Sequence, residues 1–340
     1  MMKAIVLKGF GSIDNFELSE VDTPIVTSND ILVKIKATAF NPIDYQMRQG
    51  ATESKLLKSA ILGRELSGIV SQIGEQVTGF AIGDSVTAYV GSLASNGTYA
   101  EFISIPQQLV AKNPALLSFA QATALPMVSM TALQCFQRAN IPKEKPVFIS
   151  GGAGGVGTLL IKLLLANGNN ELITTAGNED SKNQLISLGL NPDNIINYHE
   201  PDFFEKIQPK GVNGKFEYCI DLVGGKMSEV CADLLQVHGV YVDVTFLATE
   251  QARETLFDKA TTIINVANFA YSLTGNSDDT AFYGNALKEI FNKITDSIIS
   301  PIDINIIGNL SVETVQKGHL MMERNETRGK KLVMINEWDA

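Results

Sequence analysis

Apolar residues in the first part of the chain fall in short runs cut apart by turn residues. Runs at 3–9, 16–18, 31–39, 68–74, 77–88 and 97–105, separated by sets such as Gly11-Ser12 and Ser28-Asn29-Asp30, predict many short strands in an antiparallel, barrel-like β domain. From Ser118 the period changes. Ser118 as N-cap and Gln121 three residues on form a capping box, and helical spacing then runs to Phe136 with an interruption at Pro126. Beyond it strands at 147–150, 171–175, 195–198, 218–221 and 240–244 alternate with helices at 158–168, 181–188 and 227–235, the pattern of a parallel sheet covered on both faces. The chain ends with a strand at 302–307, a helix at 311–322 and a strand at 330–335. The first domain lacks a last pairing partner, so this end is expected to fold back onto it. The expected partition is 1–124 with 301–340, and 125–300.

The stretch at 147–168 carries the first chemical signal. Gly152, Gly154 and Gly157 form G-x-G-x-x-G between a buried strand and a Leu/Ile-rich helix. Such glycines permit a tight turn, let backbone approach a pyrophosphate, and let helix and strand pack closely. Gly152, Gly154, Gly155, Val156 and Gly157 are therefore the candidate phosphate cradle, with the phosphate on free N–H groups at the helix start. A glycine turn alone is weak evidence; its strand and helix flanks make it specific.

Composition narrows the class. With 340 residues, 45% of them hydrophobic, two domains are expected. No apolar run approaches the roughly 20 residues that span a bilayer, and no signal-peptide pattern opens the chain, so a cytoplasmic location without membrane contact is expected. Cys135, Cys219 and Cys231 match neither a disulfide framework nor a zinc finger, which suits a reducing compartment. A net charge of −10 with no basic stripe argues against a nucleic-acid partner.

Taken in order, the motifs resemble the medium-chain dehydrogenase/reductase superfamily over nearly the whole length. They are Asn41-Pro42-Ile43-Asp44 with Arg48 and Gly50; 63–70, Gly-Arg-Glu-Leu-Ser-Gly-Ile-Val; Gly79-Phe80 with Gly83-Asp84; 97–101, Gly-Thr-Tyr-Ala-Glu; and the glycine turn. Leu125-Pro126 with Thr131-Ala132, and Asp221 with Gly224-Gly225, add to the set. The resemblance implies an α/β chain: a GroES-like antiparallel β domain completed by the C-terminus, and a Rossmann domain with a doubly wound parallel sheet. Zinc-dependent members place ligands where this chain has Asn41, Arg64 and Met127, and a structural four-Cys lobe where it has no cysteine. No metal is therefore expected, since a catalytic zinc needs three Cys, His or carboxylate ligands. His199, His238 and His319 match none of the zinc positions and read as surface or packing residues. The resemblance narrows to the zinc-independent quinone oxidoreductase and enone reductase branch.

In that pattern the ribose-reading position is held by Ala176, with Gly177 next; Thr175 and Gly177 on either side are implied as cofactor contacts. NAD-specific folds carry a carboxylate there; Ala176 removes a charge that would repel a 2′-phosphate. Ser181 and Lys182 at the next helix start, and Tyr198 at the tyrosine position of NADPH-dependent relatives, complete the set, so NADPH is the expected cofactor. Glu179 and Asp180 oppose this if they turn toward the ribose, and otherwise are solvated first-turn residues. Lys182 reads equally as a surface lysine. Thr131, Val244 and Thr245 are implied at the cofactor cleft.

The implied reaction is hydride transfer to a quinone or an α,β-unsaturated carbonyl, which needs a few donors for the developing oxyanion and no metal. Asn41 is the first candidate for that donor, against its reading as a turn residue before Pro42. Tyr45 and Gln46 lie near the implied substrate position, although the family's Tyr falls where this chain has Gln46. Arg64 reads as a structural ion-pair residue. Residues 262–271 have strand propensity and resemble the edge strand through which family homodimers join; Phe269 and Tyr271 then face substrate, or else fill core or interface. Loops 49–59 and 272–280 are expected to shape the pocket. The alternative function is a nucleotide-binding protein with a crystallin-like or RNA-associated role and little catalysis.

Overall fold

In the computed structural model, which describes residues 1–327 and 329–336, the chain divides into two compact units. One contains Met1–Met127, Phe269–Ser297 and the described residues from Pro301 on; the other contains Val128–Asn268 and Ile298–Ser300.

The first unit is organised around the strand Asp30–Ala39, whose nearly continuous burial, broken only at Lys34 and Lys36 past its first residue, marks it as central. It pairs antiparallel with Glu65–Ile73, Phe102–Pro106 and Lys331–Ile335. Beyond Glu65–Ile73 the sheet continues through Ser85–Tyr89 to Val110–Lys112. The C-terminal strand thus completes the β domain, as its unpaired partner required. Ile304–Asn309 lies outside Lys331–Ile335 and runs parallel to it. This departs from an all-antiparallel sheet because the helix Val312–Glu323 crosses between the two strands, and such a crossover returns the chain in the same direction. The hairpin Met2–Leu7 with Phe16–Val21 covers a core that includes Ile5, Phe40, Tyr99, Val315 and Leu332.

The second unit is a parallel sheet in the order Ile195–Asn197, Leu172–Ala176, Val147–Ser150, Phe216–Asp221, Leu235–Asp243, Thr262–Asn265. Strand order reverses between Val147–Ser150 and Phe216–Asp221, the switch point where such sheets bind nucleotides. Its central strands are buried on both faces, which is why they read as apolar runs without alternation. The helix Gly155–Asn167 buries most of its apolar side chains and stops at Gly168, which adopts the left-handed conformation.

Two expectations need correction. The strand forecast for 262–271 ends at Asn265. Asn268 turns its side chain onto Thr131 Oγ1 at 2.9 Å and onto Gln134 Nε2 at 2.8 Å, and Tyr271 belongs to a short helix, Ala270–Leu273. Residues 269–297, expected within 125–300, pack in the first unit. Their helix Ser277–Thr295 begins inside the forecast loop 272–280 and lies so close to the turn Gln107–Leu109 that leads into the strand Val110–Lys112 that a Cβ on Gly284 would fall 2.4 Å from the Gln108 carbonyl oxygen. Only glycine allows that approach.

Candidate functional site

In the second unit the glycine turn separates into residues its own packing requires and one it does not. A Cβ on Gly152 would stand 2.2 Å from Thr174 Oγ1, and one on Gly157 2.6 Å from the Gly151 oxygen and from Gly152 Cα. Gly154, the exposed N-cap, would meet only the Gly151 oxygen at 3.4 Å, and its φ of −71° suits any residue. Its missing side chain therefore leaves an open cradle at the helix N-terminus. Thr174 and Thr175 accept hydrogen bonds from Gly152 N and Gly151 N, each at 3.1 Å, and fix the turn to the neighbouring strand. On the other side Asp221 accepts from Ser150 Oγ and the Tyr241 hydroxyl, both at 2.7 Å, and from Val223 N and Gly224 N. Both strand ends at the switch point are thereby held rigidly, and the residues present fit a dinucleotide phosphate.

At the end of Leu172–Ala176 lies a cavity of about 210 Å³, lined by Ala176, Glu179, Lys182, Asp193, Glu200 and Lys206 among others. The Tyr198 hydroxyl reaches the same strand end: a Cβ on Gly177 would stand 2.4 Å from it. Ser181 is buried in the first turn of the helix Glu179–Ser187, which Asn178 caps. Lys206 is paired with Glu200 and Asp202, whereas Lys182 has no partner among the described residues. Glu179 and Asp180 are exposed. Val244 and Thr245 follow Leu235–Asp243, with Thr245 N donating to Asp243 Oδ1 at 3.1 Å. Thr131 is buried against Asn268.

In the first unit Asn41 caps the helix Pro42–Arg48 and is itself buried. Its backbone N donates to Asp44 Oδ2 at 2.8 Å, its Nδ2 to Glu65 Oε2 at 2.8 Å, and its Oδ1 accepts from the Lys331 ammonium. Lys331 also pairs with Glu65 Oε2 at 2.9 Å, and Glu65 Oε1 accepts from Met127 N at 2.5 Å. Burial pushes the Glu65 carboxyl above its ordinary value while Lys331 pulls it back; burial pushes Asp44 up to about 7. Tyr45 and Gln46 are half-buried on the same helix and make no side-chain hydrogen bond among the described residues. Arg64 is buried, donating to Met47 Sδ at 3.0 and 3.2 Å and to the Tyr89 hydroxyl at 3.0 Å. Tyr89 stacks on Tyr283 at 5.3 Å, and Tyr271 on Phe282 at 4.0 Å, so Tyr271 joins an aromatic cluster; Phe269 is 37% exposed.

Residues 27–115 match the family described as alcohol dehydrogenase GroES-like domain, and residues 155–291 the one described as zinc-binding dehydrogenase. The solved quinone oxidoreductase of Coxiella burnetii superposes with a TM-score of 0.82 at 30% identity, over 98% of this chain and 99% of that one. The chain belongs to the medium-chain dehydrogenase/reductase superfamily. A zinc-type alcohol dehydrogenase-like protein of Staphylococcus epidermidis is 28% identical over 98% of this chain and 100% of its own. An NADPH-dependent alkenal/one oxidoreductase of Arabidopsis thaliana is 27% identical over 98% of this chain and 79% of its own. As a member of the quinone oxidoreductase and enone reductase branch, this dehydrogenase/reductase is an oxidoreductase.

Zinc does not fit its donor set. Asn41 Oδ1 is taken by an ammonium, Arg64 supplies a guanidinium, and Met127 contributes a backbone N–H, where a catalytic zinc needs three Cys, His or carboxylate ligands. Among the described residues no group of three His, Cys, Asp or Glu side chains could hold a metal. His319 is buried beside Tyr99, while His199 and His238 are exposed. No helix among the described residues is long and apolar enough to cross a membrane.

Asp44, Glu65 and Lys331 join Asn41 although the sequence pattern does not single them out as site residues. A charged residue at the start of a strand run, as at Glu65 and Lys331, is the available signal, though a weak one because Arg64 and Lys330 stand beside them; such residues are seldom buried unless paired.

Proposed function

We propose that this oxidoreductase reduces quinones or α,β-unsaturated carbonyl compounds with NADPH, without zinc, as a cytoplasmic homodimer. The observation that carries the reading is the Asn41 amide, buried at a zinc-ligand position of its relatives and held between a carboxylate and an ammonium. A bound reduced nicotinamide supplies a hydride to an electrophilic carbon. Asn41 donates to the substrate oxygen on which negative charge develops, an interaction stronger in the transition state than in the ground state. Tyr45 and Gln46, on the same helix, contact the substrate, and Phe269 and Tyr271 form its aromatic wall.

The glycine cradle with Gly155 and Val156 takes the pyrophosphate, while Thr131, Val244 and Thr245 line the nicotinamide half. Ser181, Lys182 and Tyr198 surround the 2′-phosphate at a strand end where Ala176 and Gly177 present no carboxylate. The exposed edge Thr262–Asn265 joins two copies. The relative described as an NADPH-dependent alkenal/one oxidoreductase supports the substrate class.

The test is cofactor oxidation followed by absorbance with 1,4-benzoquinone, 9,10-phenanthrenequinone and a small enone, using NADPH and then NADH. Turnover with NADPH well above NADH is expected. Cofactor binding without turnover on any acceptor would remove the reductase reading and leave a nucleotide-binding protein.

A further inference from the structure

Lys331 opens the strand Lys331–Ile335 and is 7% exposed, with its ammonium inside the first unit. Lysine is seldom buried without a partner, and this one has two. Its ammonium donates to Asn41 Oδ1 and pairs with Glu65 Oε2 at 2.9 Å; Glu65 Oε2 accepts from Asn41 Nδ2 at 2.8 Å. Three side chains therefore close a ring. An ammonium only donates and an ionised carboxylate only accepts, so the ring admits one orientation of the Asn41 amide. Oδ1 faces Lys331 and Nδ2 faces Glu65. Glu65 takes one Nδ2 hydrogen and leaves the other.

Stability is a poor reason for such an arrangement, because desolvation of a buried pair offsets most of its attraction. Orientation is a better one. Lys331 also keeps the buried Glu65 carboxyl ionised; without it that carboxyl takes up a proton and can donate to the amide oxygen, so the amide could turn over, presenting an oxygen where the reaction needs a donor.

We propose that Lys331 is a positioning residue of the reaction, locking the Asn41 amide so that its second Nδ2 hydrogen is the donor offered to the reacting oxygen of the substrate. The ammonium on Oδ1 also polarises the amide and strengthens its N–H as a donor. This rests on the reading of Asn41 as the oxyanion donor.

Two readouts test it. In isotope-labelled protein the Asn41 side-chain amide, identified by its loss in Asn41→Ala, gives two proton resonances, one of them displaced by its hydrogen bond to Glu65. Lys331→Met should shift both and reduce their separation. Unchanged resonances overturn the proposal whether or not an accepted substrate has been found. Steady-state kinetics on an accepted quinone or enone supply the second readout. Lys331→Met should lower kcat about 10- to 100-fold, the range of a weakened oxyanion donor, with acceptor KM and NADPH Kd within about threefold. Lys331→Gln, which still donates to Oδ1 without a charge, should fall between; it carries the test if the Met variant does not fold. In the Asn41→Ala background Lys331→Met should change kcat less than about twofold, because its partner is gone. The same fold loss in both backgrounds overturns the proposal, as does a full kcat in Lys331→Gln and Lys331→Met. If Asn41→Ala alone keeps full kcat, the donor reading of Asn41 fails and the inference falls with it. Absence of wild-type turnover on every acceptor fails the proposed function alone, and the resonances still decide the locking.

Discussion

The phenol oxygen of Tyr99 lies 3.1 Å from Nε2 of His319, joining residues 220 positions apart in the chain. Both side chains are buried among Phe16 and Phe40, and the Asp44 carboxyl acts on the same phenol. Burial, with the Arg48 guanidinium adding to it, pulls His319 from its ordinary 6.5 to about 3, and burial pushes Asp44 from 3.8 to about 7. The two shifts have opposite consequences for stability. Asp44 binds its proton more tightly in the native state, so its contribution is present in acid and is lost as pH rises from about 4 to about 7. His319 binds its proton less tightly in the native state, so its contribution is present above about 6.5 and is lost as pH falls toward 3. Each slope is at most about 1.4 kcal/mol per pH unit. Between about pH 4 and 6.5 they oppose one another.

Removing one group should expose the other. His319→Gln should lose stability, relative to wild type, as pH rises from about 4 to 7. Asp44→Asn, which keeps an acceptor for Asn41 N, should lose it as pH falls from about 6.5 to 4. Urea midpoints across that range measure both; pH profiles parallel to wild type would reject the assignment.

The Glu65–Lys331 pair gives a second expectation. Glu65 is fully buried, so Glu65→Ala strands an ammonium inside the first unit at a cost of about 3–5 kcal/mol. Adding Lys331→Met removes the stranded charge and should restore part of the loss. Denaturation midpoints of the single and double variants decide it: additive losses would mean the two side chains are not energetically coupled.

The glycines of the phosphate turn should separate by phenotype. Gly152→Ala forces a methyl against Thr174 Oγ1 and should cost about 1–3 kcal/mol of stability through overpacking. Gly154→Ala meets no close neighbour and should fold normally, yet weaken NADPH binding about tenfold or more by occupying the cradle. Thermal denaturation and fluorescence titration read the two effects. Normal NADPH affinity in Gly154→Ala would show that nothing approaches that backbone.

The difference between these sites explains what the sequence made legible. The glycine turn depends on local geometry, so its flanking strand and helix are visible as patterns, and the capping box at Ser118 and Gln121 forms for the same reason. Lys331 depends on strand register. Lys330 and Lys331 are chemically identical in the sequence, and only the pairing of Val333 with Ala39 turns Lys331 toward Asn41. The extent of 262–271 as a strand depended on a tertiary bond, since its propensity continues past Asn265 but Asn268 is held by Thr131 and Gln134. The helix Ser277–Thr295 packs by a close approach at Gly284 that no local pattern announces.

On the proposed reading, cofactor choice turns on which cations are committed at the end of Leu172–Ala176. Glu179, Asp193 and Glu200 face the cavity there with Lys182 and Lys206, and Lys206 is engaged by Glu200 and Asp202. On the proposed reading Lys182, which has no partner among the described residues, is then the cation that meets the 2′-phosphate. Lys182→Ala should weaken NADPH about 3- to 10-fold, the scale of one solvent-accessible charge contact, and leave NADH unchanged. Glu200→Gln should act in the opposite direction, because it removes a negative charge from the cavity wall and leaves Lys206 held by Asp202 alone. NADPH should then bind more tightly, by a factor that shrinks as salt is raised, while NADH again stays constant. Titration of both cofactors at two ionic strengths measures all of this. Equal changes for NADPH and NADH in either variant would move the 2′-phosphate away from this cavity and leave Tyr198 and Ser181 without the role assigned to them.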